Sequence, residues 1–164
     1  ESGAILIYLA EKTGKFLPTA GSGRVAVLEW LMFQMANLGP IAGQTAHFRD
    51  AAPERVPYAI NRFTDETARL YGVMDRRLGE VPYLAGDEYS IADMACWPWI
   101  RLHRWHSQPW EAFPNVKQWF DRIAARDAVQ AGMKLLEEYR AKPKDVLNEA
   151  TRDILFGKSQ FERR

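Results

Sequence analysis

The chain's 164 residues, 47% of them apolar, suit one domain of ordinary size with a sizeable core. A formal charge of +1, with Lys and Arg interspersed among Asp and Glu, excludes the concentrated basic face that nucleic-acid binding needs, so no nucleic-acid partner is expected. A single Cys excludes an intramolecular disulfide and fits a reducing compartment, which makes a cytoplasmic location the expectation. No signal peptide and no apolar run of membrane-span length is read, so no membrane partner is expected.

Nearly the whole chain has helical period, and no run of alternating strand residues stands out. The first helix is expected over about Ser2–Thr13, with Ser2 as N-cap and Gly14 as the stop. A helix start of this kind, with a hydroxyl, free N–H groups and the neighbouring Glu1 carboxylate, is also suited to a small zwitterion. The N–H groups and dipole attract the anion, and Glu1 takes the ammonium. Residues 14–23, rich in Gly, Pro and Ser, read as a linker. A long helix follows from near Arg24, with Val27, Leu28, Leu31, Met32 and Met35 as its apolar stripe. Gly39-Pro40 is expected to kink or break it, because Pro40 lacks an N–H and crowds the preceding turn.

The next helix begins at Pro53 or Pro57 and runs to about Leu78, burying Ile60, Phe63, Thr67, Leu70, Val73, Met74 and Leu78. Ser90 and Asp93 form a capping box in which Asp replaces the usual Glu or Gln, with Tyr89 and Met94 as the staple. The helix behind it, Ile91 to about Arg104, is apolar almost all round and reads as the core helix. Another helix starts at Phe113-Pro114 and reaches about Arg126. A more polar one covers Ala128–Arg140, and after Pro143 a tail with sparse apolar residues is expected to wrap over the bundle, its last residues frayed.

Few residues offer chemistry of their own. Cys96 lies in the apolar core helix and reads as an inert buried thiol. His103 and His106 are three apart, but no third ligand of matching spacing follows, and no metal site is expected. Trp97, Trp99, Trp105, Trp110 and Trp119 read as packing. His47 follows the Gly-Pro segment, where it could line a cleft. Carboxylate pairs such as Asp65-Glu66 and Glu137-Glu138 read as solvated. Arg62 precedes the buried Phe63 and can point to a cleft edge, where a guanidinium grips a carboxylate bidentately, or sit as an ordinary surface Arg. The residues thus describe an all-α bundle without a catalytic group of its own, attached to a preceding helix.

Three separated segments resemble the glutathione S-transferase superfamily. Glu1-Ser2-Gly3-Ala4-Ile5-Leu6-Ile7-Tyr8-Leu9 is similar to the end of its thioredoxin-like domain, and Ser90-Ile91-Ala92-Asp93 matches the helix cap of its helical C-terminal domain. Trp30–Met35, Leu38-Gly39-Pro40, Gly43-Gln44, His47-Phe48, Tyr58–Phe63, Leu70–Leu78, Ile91–Trp99 and Ile154–Gly157 resemble the bacterial Nu-class and Ure2-like branch, although Phe63 stands where that branch often has Tyr.

The resemblance implies a C-terminal helical bundle preceded by the last helix of a truncated thioredoxin-like domain. The division would be helix 1–14, linker 15–23, helical domain 24–142 and tail 143–164. It implies glutathione as co-substrate, with the Ser2 hydroxyl and N–H taking the α-carboxylate of the γ-glutamyl end. Glu1 would meet the ammonium side, and Arg62 is the matching position of an Arg that reaches glutathione. The Gly39–Phe48 region would border the second-substrate cleft. The implied activity is glutathione-dependent reduction of a disulfide or conjugation to a small electrophile, in a homodimer. The thiol-activating group would lie in the absent part, so this piece alone is expected to be inactive. The alternative is a non-catalytic interaction or regulatory module.

Overall fold

Residues 1–135, 148–157 and 159 are described by a computed structural model, and every regular element among them is helical, with only an isolated bridge between Tyr83 and Gly86. The expected helix end at Arg140, the domain end at residue 142, Glu137-Glu138, Val146, Leu147 and the last residues, 160–164, lie outside the described residues. The chain divides into two compact units, Glu1–Ala125 and Arg126–Arg164.

In the first unit, helix α1 (Ser2–Thr13) ends as its sequence predicts. Gly14 adopts the left-handed conformation (φ 65°) and returns its N–H to the Ala10 carbonyl. Its start differs from expectation. The first intrahelical bond runs from Ile5 N–H to the Glu1 carbonyl, which makes Glu1 the N-cap and Ser2 the first helical residue. The inner face of α1 shares one apolar core with its neighbours, in which Ala10, Leu17, Val27, Leu31, Ile91 and Ala92 are buried and Leu6 and Ile7 pack against them. The connection that follows is tied down as well, because Ile91 N–H donates to the Phe16 carbonyl at 3.1 Å.

Helix α2 (Gly21–Phe33) does not break at Gly39-Pro40. A π turn over Gln34–Leu38 carries it into α3 (Gly39–Ala46), and a second π turn over His47–Ala51 ends it. The reason is the hydrogen-bond register. Pro40 has no N–H to give, and the wider π turn, closed by Gly39 N–H on the Gln34 carbonyl, moves the ladder past it. Because the helix continues, Gly21–Ala51 is a 31-residue helix long and apolar enough by length and composition to cross a membrane, contrary to the sequence reading. Here it packs against α4 (Pro57–Leu78) and α5 (Ile91–Ile100), as a bundle helix does.

Helix α4 starts at Pro57, placed in the first turn where its missing N–H costs nothing. Thr45 and Thr67, both fully buried, join α3 to α4 through their hydroxyls at 2.7 Å, and Thr45 also donates to the Phe63 or Ile41 carbonyl. The capping box forms as predicted. Ser90 Oγ accepts from Ala92 N–H, and Asp93 Oδ2 accepts from Ser90 N–H at 3.0 Å. Asp93 does more than cap: its Oδ1 accepts from Leu84 N–H and from Trp119 Nε1, pinning the 79–90 connection and α6 (Pro114–Ala124) to the start of α5. Burial pushes its carboxyl up, and these donors oppose that rise. Asp75 caps α6 from α4, its Oδ1 accepting from Asn115 N–H at 2.8 Å and Val116 N–H at 3.0 Å.

Helix α5 stops at Ile100, four residues short of the expected Arg104, and 101–107 is a run of turns that reverses at Ser107 (φ 57°). In the second unit, the polar helix α7 (Asp127–Lys134) ends earlier than expected, because Leu135 caps it in an extended conformation (φ −61°, ψ 134°). The tail contains α8 (Glu149–Phe156), capped by the Asn148 side chain on Thr151 N–H; sparse apolar spacing gave no sign of that helix.

Candidate functional site

The sequence singles out two places, the start of α1 and the first turns of α4. At the start of α1 the bond from Ile5 to Glu1 leaves the N–H groups of Ser2, Gly3 and Ala4 without an intrahelical acceptor. Glu1 and Ser2 are exposed, and the Glu1 side chain makes no cap of its own. Ser2 Oγ lies 3.9 Å from the thioether of Met35, which sits in the first π turn. Gly3 is buried directly over that sulfur, and a Cβ there would fall 2.9 Å from Met35 Sδ. Sequence pattern placed Met35 in an apolar stripe; its second role, as the seat for the α1 start, depends on a contact 33 residues away in the chain. The result is a helix end seated on Met35 that carries backbone donors without intrahelical acceptors beside an exposed serine and an exposed glutamate, which suits a group bearing both charges.

On α4, Arg62 is 57% exposed, and its Nη1 stands 3.7 Å from Glu66 Oε2. Glu66 is held more firmly by Arg69, through contacts of 2.9 and 2.7 Å, and that hydrogen bond is the main cause that lowers its carboxyl pKa. Arg62 is therefore loosely held, with most of its guanidinium in solvent. Tyr58, one turn earlier on the same helix face, is 79% exposed and was not singled out from sequence; its spacing of four from Arg62 was the available signal. Behind Arg62, Phe63 stacks on Phe48 (5.4 Å, 11°), and His47 sets its ring edge-on to Phe48. Phe48 lines a cleft of about 370 Å³ with Arg49, Asp50, Glu54, Arg55 and Ile60.

No hydrogen bond or ion pair joins Glu1 or Ser2 to Arg62 among the described residues. Their neighbours Met35 and Phe48 lie on the same continuous helix, about 20 Å apart along its axis at the usual rise per residue. The two places are on different helices, Glu1 and Ser2 at the start of α1 and Arg62 on α4.

The remaining candidates are structural. Cys96 is fully buried, and burial pushes its thiol pKa well up, with Asp93 adding to the effect. His103 Nδ1 donates to the Gln108 carbonyl at 2.8 Å, and His106 Nδ1 meets the Tyr71 hydroxyl at 3.2 Å. Burial, helped by the nearby His103, lowers the His106 pKa to about 4. Among the described residues no group of three or more His, Cys, Asp or Glu is placed to hold a metal. Trp97 and Trp119 pack as expected and each also donates from Nε1, but Trp105 is 57% exposed, because the turns after Ile100 carry it out of the core-helix pattern.

A bundle of this topology, with a capped core helix and an exposed helix start seated on it, defines an all-helical C-terminal domain of the glutathione S-transferase type. Residues 59–127 match the family described as glutathione S-transferase, C-terminal domain. The disulfide-bond oxidoreductase YfcG of Escherichia coli is 50% identical over 137 residues, which are 84% of this chain and 63% of that protein. A glutathione transferase of Burkholderia graminis, solved with two glutathione molecules bound per subunit, superposes with a TM-score of 0.77 at 38% identity, covering 84% of this chain and 60% of that one. Ure2p in complex with glutathione gives 0.75 at 31% identity, covering 80% of this chain and 67% of that one. The chain belongs to the glutathione S-transferase superfamily, in the company of its Nu-class and Ure2-like members. It spans less than two thirds of the length of the E. coli and B. graminis relatives.

Proposed function

We propose that this chain is the glutathione-binding helical part of a glutathione-dependent disulfide reductase. The observation that carries the reading is the start of α1, where the first N–H groups lack intrahelical acceptors beside the exposed Glu1 and Ser2, with Met35 packed under Gly3 and the Ser2 hydroxyl. In this reading Ser2 takes the α-carboxylate of the γ-glutamyl group through its hydroxyl and N–H, and Glu1 takes the α-ammonium. Arg62, loosely held by Glu66, turns to a carboxylate of glutathione, and the Gly39–Phe48 segment borders the second substrate. Relatives named as disulfide-bond oxidoreductases and structures solved with glutathione support glutathione as the ligand in this reading.

The reaction needs two glutathiones. The thiolate of the first attacks one sulfur of the disulfide and expels the other as a thiolate, leaving a mixed disulfide. The second attacks the glutathione sulfur of that mixed disulfide, releasing the second thiol and forming glutathione disulfide. The thiol-activating group is assigned to the preceding thioredoxin-like domain, the active form to a homodimer, and its location to the cytoplasm. Conjugation to an electrophile is the alternative chemistry for the same bound thiolate.

The test joins the chain to its preceding domain and measures glutathione-dependent reduction of bis(2-hydroxyethyl) disulfide. Losing a charge-assisted contact removes about 1.5–3 kcal/mol, so Arg62→Ala is expected to lower kcat/KM for glutathione by roughly 10- to 100-fold. An unchanged value removes Arg62 from the site. Turnover of 1-chloro-2,4-dinitrobenzene with none of the disulfide favours conjugation, and absence of both activities favours a non-catalytic module.

A further inference from the structure

The turns after α5 build a second recessed place that uses none of Glu1, Ser2 or Arg62. Its floor is a column of rings: His103 stacks on Trp110 at 3.8 Å, Trp110 leans on Phe120 at 5.2 Å, and Phe120 stacks on Trp97 at 5.0 Å. The column is rigid. Trp97 Nε1 donates to the Phe120 carbonyl, and His103 Nδ1 donates to the Gln108 carbonyl. Gln108, buried, anchors the turn to α4 by donating to the Thr64 carbonyl, next to the left-handed Ser107.

Over this floor lies a cleft of about 490 Å³ walled by Arg101, Arg104 and Trp105, and a neighbouring cleft of about 510 Å³ shares His103, Arg104 and Trp110 with it. Volumes of this order accommodate small molecules. Arg101 and Arg104 are exposed, and neither guanidinium makes an ion pair or hydrogen bond among the described residues. Trp105 exposes more than half its surface beside them. Two uncommitted guanidiniums with indole faces attract a negative group and a flat ring together, through charge-assisted hydrogen bonds at one end and stacking at the other. Among the described residues the one acidic side chain lining either cleft is Glu111, on the neighbouring cleft and absent from the lining of the first.

We propose that the Arg101–Arg104–Trp105–Trp110 cleft is a binding site for a small planar aromatic anion. Its acidic group would bridge the two guanidiniums, and its ring would lie against Trp110 and Trp105. The experiment is a calorimetric titration of the chain with 1-naphthalenesulfonate, repeated with the neutral 2-naphthalenemethanol. Saturable binding of the sulfonate is expected, weakened at least tenfold in R101A/R104A, at least threefold in Trp105→Ala and not at all in Arg62→Ala. The alcohol is expected to bind at least tenfold more weakly. All substituted side chains are exposed, and circular dichroism confirms that each variant is folded. Absence of saturable binding, equal affinity for the alcohol, or an affinity unchanged in both R101A/R104A and Trp105→Ala overturns the proposal.

Discussion

Gly39 shows how much a single position in this chain can be constrained. It sits where the first π turn meets α3, with ordinary helical φ, and the space for a side chain is already taken. A Cβ would lie 2.7 Å from Gln34 Nε2 and 3.3 Å from both the Gln34 carbonyl oxygen and Trp99 Cε2. Alanine in a helix normally gains about 1 kcal/mol over glycine, while overpacking costs about 1–3 kcal/mol. Gln34 is buried and cannot swing freely into solvent, so the steric cost wins. Gly39→Ala is expected to destabilise the chain by about 1 kcal/mol in urea unfolding; a stabilised variant would show that the π turn yields easily. What could be read from sequence at this scale follows from range. The Ser90–Asp93 box acts across three residues and was legible, whereas the Gly3–Met35 seat and the Asp93–Trp119 bond join distant parts of the chain and were not.

Among elements, the helices were legible because their apolar residues recur at helical spacing, and their ends where Gly or Pro acts locally, as at Gly14 and Pro57. The Gly21–Ala51 helix was misread at Pro40 because the remedy for a missing donor is a change of hydrogen-bond register, which composition does not reveal. The exit from α5 was misread because residues 101–104 continue a helical pattern that the turns abandon, which also hid the exposure of Trp105. Helix α6 depends on a cap from another element. Asp75 satisfies two N–H groups of its first turn and receives the Asn115 amide besides. Asp75→Ala leaves those donors without their partner and is expected to cost about 1–2 kcal/mol. Amide exchange should quicken first at Asn115 and Val116, and unchanged exchange there would contradict the capping role.

At the scale of the whole molecule, the buried His106 makes stability depend on pH. Its folded pKa of about 4 lies below the ordinary value of 6.5, so the unfolded chain binds the proton first. The contribution is complete above about pH 6.5 and is lost as pH falls toward 4, on the order of 3 kcal/mol across that window. Unfolding free energies measured between pH 7 and 4 should therefore decline, and His106→Asn should flatten the decline; an equal slope in the variant would assign it to other groups.

The two points of the candidate site, the start of α1 and Arg62 on α4, lie on different helices, and the reading of this protein rests on the first of them. Calorimetric titration of glutathione into the full-length protein addresses it directly, with Ser2→Ala compared to the unaltered protein. The account predicts saturable binding that weakens about tenfold when the hydroxyl is removed, the loss of one hydrogen bond to a charged group. Glutathione bound equally well by Ser2→Ala, in a folded protein, would contradict it.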